Sequence, residues 1–396
     1  MPAPFCLLPS ALCPLPFPFL GMPLAGHLRM ARSAKLVRYA VVGLGHISQN
    51  AVLPAFAHAR RNSRVTALVS DSPRKLKQLA RKYKVEGTYS YDEYEKCLQK
   101  VDAVYIALPN SMHAEYTIRA ANAGVHILCE KPMAVTVDEC ERMIEACREA
   151  NVKLMIAYRL HFEEINLKAI ELVRTRKLGD PKFFNSSFAM RVKPGNIRTR
   201  REMGGGTLYD IGVYCINAAR YLFRAEPKEV MAVSVNSVPA KLGEIDESTG
   251  ALLRFEGERL AAFVTSFNAY DVASYQIVGT KGRLDVEPAY EYAEGLSYKV
   301  NIEGKTRQVR TGKRDQFAPE LLYFSDCILK NRAPEPSGEE GLQDVRIVQA
   351  LYESAETGRA VQIPPFKPMK RPDLKQRIRL PGVKEPELVH ASSAHE

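Results

Sequence analysis

The stretch Arg38-Tyr-Ala-Val-Val-Gly-Leu-Gly-His-Ile-Ser48 decides the fold of this chain. Its first part is short, apolar and rich in β-branched residues, which predicts a buried strand. Gly43 and Gly45 follow this strand, and a helical pattern begins at Ile47. This order is typical of a phosphate-binding unit, because Gly43 permits a tight turn and Gly45 lets the backbone approach a pyrophosphate at the helix N-terminus. Ser48 replaces the third glycine of the usual pattern.

Strand and helix patterns alternate from this stretch to about residue 158. Short apolar segments predict further strands at residues 65–69, 102–107, 125–129 and 153–157. Helical patterns cover residues 47–60, 73–83, 113–123 and 137–150. Such alternation predicts a parallel sheet with right-handed crossovers. We therefore expect a doubly wound α/β domain of the Rossmann type over residues 38–158.

The pattern changes beyond residue 158, where β-rich segments follow one another with few helices. These segments are residues 182–189, 229–238, 250–255, 260–267, 274–278, 283–286 and 297–302. Thr280-Lys-Gly282 and Glu303-Gly304 supply hairpin turns. Helical patterns cover residues 162–176, 207–223 and 316–330, and Ser337-Gly-Glu-Glu340 predicts a capping box for a last helix that ends at Gly358. We expect an α+β domain over residues 159–365, built on a large, mostly antiparallel open sheet.

Both ends of the chain differ in composition from the rest. Residues 1–37 are rich in proline, which predicts a disordered extension. A proline-rich arm that packs on a partner subunit is the alternative. Residues 366–396 are basic and proline-spaced without periodicity, which predicts a tail. The chain has a net charge of +11, and most of it lies in these two segments.

The composition excludes several classes of protein. No basic stripe with aromatic platforms is evident between the two ends, so no nucleic-acid partner is predicted. No apolar run reaches the roughly 18 residues of a membrane-spanning helix, so no membrane association is predicted. The eight cysteines include no Cys-x-x-Cys pair, and no metal site is predicted. Scattered cysteines favour a reducing compartment and so a cytoplasmic location, with the periplasm as the alternative.

The residues after the second strand bear on the choice of dinucleotide. A carboxylate at the end of this strand binds the ribose hydroxyls of NAD, whereas basic residues accommodate the 2′-phosphate of NADP. If the strand ends at Ser70, then Ser70, Arg74 and Lys75 accept that phosphate, and NADP is predicted. If the strand runs one residue further, Asp71 binds the ribose and the cofactor is NAD. We favour NADP.

Two further stretches carry side chains suited to catalysis. Glu130-Lys131-Pro132 follows a predicted strand, and ligands bind at the carboxyl ends of strands in open α/β sheets. Gly204-Gly-Gly206 leads into a helix that places Asp210 and Tyr214 four residues apart on one face. An acid and a phenol so placed can bind and deprotonate a sugar hydroxyl. An ordinary surface ion pair and a structural capping pair are the alternative interpretations.

Together these stretches resemble the glucose–fructose oxidoreductase and inositol dehydrogenase (Gfo/Idh/MocA) family of nucleotide-dependent sugar oxidoreductases, over about residues 38–365. The marks of the resemblance are Gly43-x-Gly45, Ala107-Leu-Pro-Asn110 with His113, Glu130-Lys131-Pro132, Ala157-Tyr-Arg159 and Gly204-Gly-Gly-x-x-x-Asp210-x-Gly-x-Tyr214. Four features resemble the glucose–fructose oxidoreductase branch most, namely Ser70, Lys75, Tyr214 and the stretch Gly338-Glu-Glu-Gly-Leu-Gln-Asp344-Val-Arg.

The resemblance implies roles for these residues. Lys131 contacts the substrate hydroxyl and favours the ionised phenol of Tyr214, which takes the hydroxyl proton. Asp210 binds and orients the sugar, and the Lys131–Pro132 bond is commonly cis in the family. The predicted cofactor-binding residues are Gly43, Gly45, His46, Ile47, Ser70, Arg74, Lys75, Pro109, Asn110, His113, Glu130, Lys131 and Arg159.

The predicted function is NADP-dependent hydride transfer between the nicotinamide and a pyranose carbon, as in the oxidation of an aldose to a lactone. A non-catalytic nucleotide-sensing or regulatory protein of the same fold is one alternative, and a redox-assisted lyase or glycosidase is another. The branch commonly has a Trp-Arg pair where this chain has Ile197-Arg198, and the chain contains no tryptophan. The sugar, the carbon that reacts and the retention of the cofactor between turnovers therefore stay open.

Several strands of the second domain are apolar on both faces. Val233, Val235, Leu253, Phe255, Phe263 and Thr265 alternate with Ala232, Ser234, Leu252, Arg254, Ala262 and Val264. A doubly apolar sheet with few covering helices is best buried against another sheet. We expect a homodimer or a homotetramer that assembles through this sheet.

Overall fold

Two sheets organise the part of the chain that the computed structural model describes, which is residues 36–238, 240–367 and 370–394. Nearly all of the predicted disordered extension, residues 1–35, lies outside the described residues. The first strand begins at Val37, one residue earlier than the sequence predicted.

The first sheet has six parallel strands in the order β3-β2-β1-β4-β5-β6. They are β1 (Val37–Val42), β2 (Ser63–Val69), β3 (Gly87–Tyr89), β4 (Ala103–Ile106), β5 (His126–Glu130) and β6 (Leu154–Ala157). The apolar residues of β1 and β4 are buried, as expected for a sheet covered on both faces. The strand order reverses between β1 and β4, and ligands bind at such a switch point in doubly wound sheets. The predicted Rossmann-type architecture is confirmed.

The helices of this part connect its strands. They are α1 (Leu53–Ala55), α2 (Pro73–Tyr83), α3 (Tyr94–Leu98), α4 (His113–Asn122) and α5 (Val137–Glu149). The helix predicted over residues 47–60 is shorter, because a π-helical turn over Ser48–Val52 leads into α1. Pro54 lies in this segment, and a proline lacks the N–H group that the regular helical ladder needs.

The second sheet has nine strands in the order β14-β13-β12-β11-β7-β10-β9-β8-β15. They are β7 (Pro181–Ala189), β8 (Pro227–Val235), β9 (Ser248–Phe255), β10 (Arg259–Ser266), β11 (Val272–Gly279), β12 (Gly282–Val286), β13 (Ser297–Ile302), β14 (Lys305–Arg310) and β15 (Val361–Gln362). Only β7 and β10 pair in parallel among them. The mostly antiparallel sheet is confirmed, as are the hairpin turns at residues 280–282 and 303–304.

One face of the second sheet is covered by helices. These are α6 (Glu164–Arg174), α7 (Val213–Phe223), which continues a π-helical turn over Leu208–Gly212, and α9 (Gly338–Thr357). The helix α8 (Ala318–Leu329) instead packs on the first sheet, where Ser325 hydrogen-bonds to Tyr39 with 2.8 Å between their oxygens. The hydrophobic core on this side of the first sheet therefore combines two parts of the chain that are distant in sequence.

The capping box predicted for the last helix is wrong. Ser337 is the N-cap residue of α9, but its side chain makes no capping hydrogen bond. The Glu340 carboxylate accepts a 2.8 Å hydrogen bond from the buried guanidinium of Arg220. A buried cation competes for this carboxylate more strongly than a backbone N–H group does. The helix still ends as predicted, at Gly358 in the left-handed conformation.

The other face of the second sheet exposes apolar side chains. Val233 is 66% exposed and Val264 is 51% exposed, and the exposed residues Met231, Leu252 and Leu260 lie on the same face. Their neighbours in sequence, among them Leu253 and Phe263, are buried on the covered face. The sheet is therefore apolar on both faces, as the alternation predicted.

The described part of the basic tail follows the surface of the folded protein. Arg371 forms ion pairs with the carboxylates of Glu226 and Glu340, and Arg379 pairs with Glu164. Opposite charge holds the tail in place, since its arginines meet carboxylates that are largely buried. No helix among the described residues is long and apolar enough to cross a membrane.

Candidate active site

A cleft of about 560 Å³ lies at the carboxyl ends of the parallel strands, where the first sheet faces the second. It is lined by the three predicted catalytic residues, Lys131, Asp210 and Tyr214. Of the predicted cofactor residues, the cleft brings together Gly43, Gly45, His46, Ile47, Ser70, Lys75, Pro109, Asn110, His113, Glu130, Lys131 and Arg159. Arg74 is exposed on α2 and does not line the cleft. The volume lies within the range of pockets that hold small molecules.

The glycine turn after β1 is shaped to receive a phosphate. Gly43 has a φ of +89°, and a Cβ atom there would lie 2.5 Å from the carbonyl oxygen of Ala107. No atom lies within 4 Å of the position that a Cβ of Gly45 would take, so space for a ligand is open at this point. The buried Ser48 hydroxyl donates a 2.6 Å hydrogen bond to the Gly43 carbonyl. The serine therefore fixes the turn in place of the usual third glycine.

The second strand ends at Val69, so Ser70 is the first residue beyond it. Ser70 is buried, and its hydroxyl donates a 3.3 Å hydrogen bond to the carboxylate of the exposed Asp71. Ser70, Asp71 and Lys75 all line the cleft. The serine and the lysine thus lie where the sequence placed the binding site for a 2′-phosphate.

Two of the predicted cofactor residues form hydrogen bonds that hold the loops around the cleft. The fully buried ring of His113 lies between two backbone carbonyl oxygens, 2.9 Å from that of Pro132 and 3.0 Å from that of Leu108. The side-chain amide of Asn110 donates a 2.8 Å hydrogen bond to the carbonyl of Gly204. These contacts fix the loops after β4 and β5 against the glycine stretch.

The three glycines before the catalytic helix are required by close protein packing. A Cβ atom at Gly204 would lie 2.6 Å from Val135, and one at Gly205 would lie 2.4 Å from the carbonyl oxygen of Arg198. A Cβ atom at Gly206 would lie 2.4 Å from the hydroxyl of Tyr352. Gly204 and Gly205 also line the cleft, where the sequence predicted a close approach to a ligand, and the space beside each of the three glycines is filled by the protein itself.

Lys131 and Asp210 form a buried ion pair on one side of the cleft. The Lys131 Nζ atom donates a 2.8 Å hydrogen bond to the backbone carbonyl of Asp210. The same atom lies 3.4 Å from the Oδ1 atom of the Asp210 carboxylate. Burial lowers the pKa of Lys131, but the charges of Tyr214, Asp210 and Glu130 outweigh burial and raise it. The ammonium group is therefore charged at neutral pH. The Lys131–Pro132 bond is cis, as the resemblance implied.

Glu130 has a hydrogen-bond partner of its own next to this ion pair. Its carboxylate accepts a 2.8 Å hydrogen bond from the Tyr105 hydroxyl. Burial raises the pKa of Glu130 and outweighs Lys131, Tyr105 and Arg159, which each act to lower it.

Arg198 is a site residue to which sequence reasoning gave no role. Its Nε atom donates a 2.7 Å hydrogen bond to Asp210 Oδ2, so two cations hold the Asp210 carboxylate. Burial alone raises the pKa of Asp210, but the charges of Arg198 and Lys131 outweigh burial and lower it. The signals in the sequence were its position shortly before the three glycines and the resemblance, in which Ile197-Arg198 stands at the place of a Trp-Arg pair.

Arg159, rather than Lys131, makes the hydrogen bond to the predicted base. Its Nη2 atom donates to the Tyr214 hydroxyl oxygen at 3.2 Å, and its guanidinium carbon lies 5.1 Å from the centre of the ring. Gln316 and the carbonyls of Tyr290 and Glu291 accept the other hydrogen bonds that hold the guanidinium. The Lys131 Nζ atom lies 4.7 Å from the centre of the Tyr214 ring. Two cations therefore lie beside the phenol of Tyr214.

The described residues contain no group of three or more His, Cys, Asp or Glu side chains that could hold a metal ion. Instead, the cleft combines a dinucleotide-type glycine turn with a lysine, an aspartate and a phenol held by an arginine. This set can bind a hydroxyl group and remove its proton next to a bound dinucleotide.

Comparisons with known proteins agree with this geometry. Residues 37–158 match the GFO/IDH/MocA model described as an oxidoreductase family with an NAD-binding Rossmann fold. Residues 166–285 match the GFO/IDH/MocA C-terminal domain. Together the two matches cover more than half of the chain.

Individual relatives point the same way. The chain is 33% identical over 337 residues to a D-xylose 1-dehydrogenase [NADP(+)] of Haloarcula marismortui, over 83% of this chain and 93% of the relative. The structure of an aldose-aldose oxidoreductase from Caulobacter crescentus, complexed with glycerol, has a TM-score of 0.80 and 37% identity, over 83% of this chain and 100% of that one. A 3-ketoreductase from Actinomadura kijaniata, in complex with NADP and TDP-benzene, has a TM-score of 0.74 and 26% identity, over 81% and 98%. The chain belongs to the GFO/IDH/MocA family of oxidoreductases.

Proposed function

We propose that the protein oxidises an aldose at its anomeric carbon with NADP, giving the lactone and NADPH. The observation that carries this proposal is the hydrogen bond from Arg159 to Tyr214 in the same cleft as the glycine turn and the Lys131–Asp210 pair. The names of two relatives, an aldose-aldose oxidoreductase and an NADP-dependent D-xylose 1-dehydrogenase, support the substrate class.

The residues of the cleft fit a bound NADP. The turn at Gly43 and Gly45 leaves room for the pyrophosphate, and the backbone N–H groups at the start of the following helical turn are its donors. Ser70 and the positive charge of Lys75 suit the 2′-phosphate, whereas a carboxylate in their place would repel it. When bound, the nicotinamide supplies the acceptor for the hydride.

Tyr214 is the proposed base. It would accept the proton of the anomeric hydroxyl, and a nicotinamide dinucleotide held by the glycine turn, Ser70 and Lys75 would supply the two-electron acceptor for the hydride of the same carbon. The carbon is thereby oxidised by two electrons to the lactone carbonyl. Arg159 donates a hydrogen bond to the Tyr214 oxygen and Lys131 lies over the ring, so two cations hold the base in position.

Asp210 and Lys131 are the proposed sugar-binding groups. Arg198 and Lys131 keep Asp210 ionised, so its carboxylate accepts hydrogen bonds from sugar hydroxyls. The ammonium of Lys131 donates to the reacting oxygen. Holding the hydroxyl between a fixed donor and a fixed base aligns the C–H bond with the acceptor.

A panel of aldoses with NADP tests the proposal, with the absorbance of NADPH and the identity of the sugar product as readouts. The matched control is the methyl glycoside of each active aldose, in which the anomeric hydroxyl is blocked. We expect aldoses to reduce NADP and to yield lactones, and the glycosides to be inert. Oxidation of the glycosides would move the reaction to another carbon. NADP binding without turnover would favour a sensing role, and elimination products would favour a lyase.

We also propose that the exposed apolar face of the second sheet assembles two or four copies of the chain. The exposed valines of β8 and β10 support this assembly, because monomers seldom leave so continuous an apolar surface in water. A cytoplasmic location stays a prediction from the scattered cysteines, and the six described ones are buried free thiols.

A further inference from the structure

The last described residues of the chain, 389–394, run beside the cleft. Residues 391–394 line it together with the glycine turn of the first domain and with Met190 and Asn196 of the second. The tail therefore forms part of the cleft together with both domains.

One end of this segment is fastened beside the glycine turn. The side chain of Gln49, which is 1% exposed, accepts a 2.7 Å hydrogen bond from the Val389 N–H group and donates a 2.9 Å hydrogen bond to the Val389 carbonyl. The same amide nitrogen donates to the carbonyl of Leu44 at 2.9 Å. One buried amide thus joins the tail to the phosphate-binding turn. A buried amide without hydrogen-bond partners costs free energy, so the folded state favours the tail in this position.

The other end is fastened to the second domain. The carbonyl of Ala394, which is 6% exposed, accepts a 3.1 Å hydrogen bond from the Lys193 N–H group beyond β7. Two further contacts of the tail precede the segment and lie outside the cleft: Lys82 donates a 3.0 Å hydrogen bond to the Glu387 carbonyl, and Lys313 pairs with Glu385 at 3.2 Å. The tail is held on both sides of the cleft, and the part between the fastenings faces the space where the cofactor binds.

We propose that residues 389–394 form the outer wall of the NADP site and retain the bound nucleotide. This inference rests on the proposed function, because it takes NADP as the occupant of the cleft. Release of the nucleotide past this wall requires the hydrogen bonds to Val389 and Ala394 to open. Their loss corresponds to about a tenfold or larger increase in the rate of release.

Two variants and one control test this wall. The first variant ends the chain after Leu388. The second is Val389→Pro in the full chain. It removes the N–H group that donates to the Gln49 side chain, and it leaves the hydrogen bond from Gln49 to the Leu44 carbonyl in place. The control, Glu385→Gln, breaks an exposed ion pair of the tail before the wall begins.

The measurement is the dissociation rate of NADPH, followed by its fluorescence after a chase with excess NADP. We expect both variants to release NADPH about tenfold faster or more, and the control to match the unaltered chain. A single turnover of the preloaded enzyme should change little, because the wall holds the nucleotide without taking part in proton transfer. If the truncated chain does not fold, Val389→Pro decides.

Two results would overturn the inference. One is an unchanged dissociation rate in a folded variant, and the other is an equal acceleration in Glu385→Gln. Failure of the unaltered chain to bind NADPH would instead overturn the proposed function, and the wall with it.

Discussion

Replacing Arg159 by methionine should slow the reaction. The guanidinium donates a 3.2 Å hydrogen bond to the Tyr214 oxygen, and such a bond from a charged donor contributes about 1.5–3 kcal/mol. A bond of this size corresponds to about a 10- to 150-fold change in rate.

The direction of the effect follows from the role of Tyr214 as the base. Without Arg159, the phenol oxygen loses the donor that positions it, so kcat/KM should fall by about 10- to 150-fold. The assay is the initial rate of NADPH formation with the best aldose. Arg159→Lys, which keeps a positive charge, should lose less activity.

Arg159 also holds Gln316 and the Tyr290 carbonyl, so a second measurement separates catalysis from folding. Thermal unfolding of Arg159→Met reports the loss of stability. Adding Arg159→Met to Tyr214→Phe should cost little further activity if Arg159 acts through the phenol. An unchanged kcat/KM in a folded variant, or fully multiplicative losses in the double variant, would refute the reasoning.

Further predictions address the base, the cofactor, the aspartate and the assembly. Tyr214→Phe should lower kcat by about 10²–10⁴ in steady-state assays and leave the Kd for NADP nearly unchanged; near-native turnover would remove Tyr214 from the mechanism. Ser70→Asp should reduce the preference for NADP over NAD by about tenfold or more in calorimetric titrations, and an unaltered ratio would show that the 2′-phosphate lies elsewhere. Arg198→Met removes one of the two charges that lower the pKa of Asp210, so Asp210 should take up a proton at a higher pH. As the pH falls, the variant should therefore lose activity earlier than the unaltered chain, and identical pH–rate profiles on the acid side would contradict this. Val264→Asp should convert the assembly to single chains by light scattering, whereas a single-chain mass before substitution would contradict the proposed interface.

Local sequence signals predicted the features that depend on neighbouring residues. The turn at Gly43 and Gly45 lies directly between a strand and a helical turn. Gly43 has the positive φ that favours glycine, and the space beside Gly45 is open. Asp210 and Tyr214 line the same cleft because a spacing of four residues places both on one helical face. Alternation of apolar residues also predicted that the second sheet would be apolar on both faces.

Features that depend on distant contacts could not be predicted in this way. Arg159 and Tyr214 are 55 residues apart, and Gln49 and Val389 are 340 residues apart. No periodicity connects such positions, because only the folded chain brings them together. The capping box at Ser337 failed for a related reason, since the local pattern contains no sign that Arg220 takes the Glu340 carboxylate.

The central claim is that a hydride passes directly from the anomeric carbon of an aldose to NADP in this cleft. The most direct test uses an aldose that carries deuterium at its anomeric carbon, with NMR analysis of the NADPH that forms. The account predicts deuterium at C4 of the nicotinamide and a slower reaction than with the unlabelled sugar. In Tyr214→Phe, deuterium transfer should be no faster than the low residual turnover of that variant. NADPH without deuterium, or deuterium that appears only in water, would contradict it.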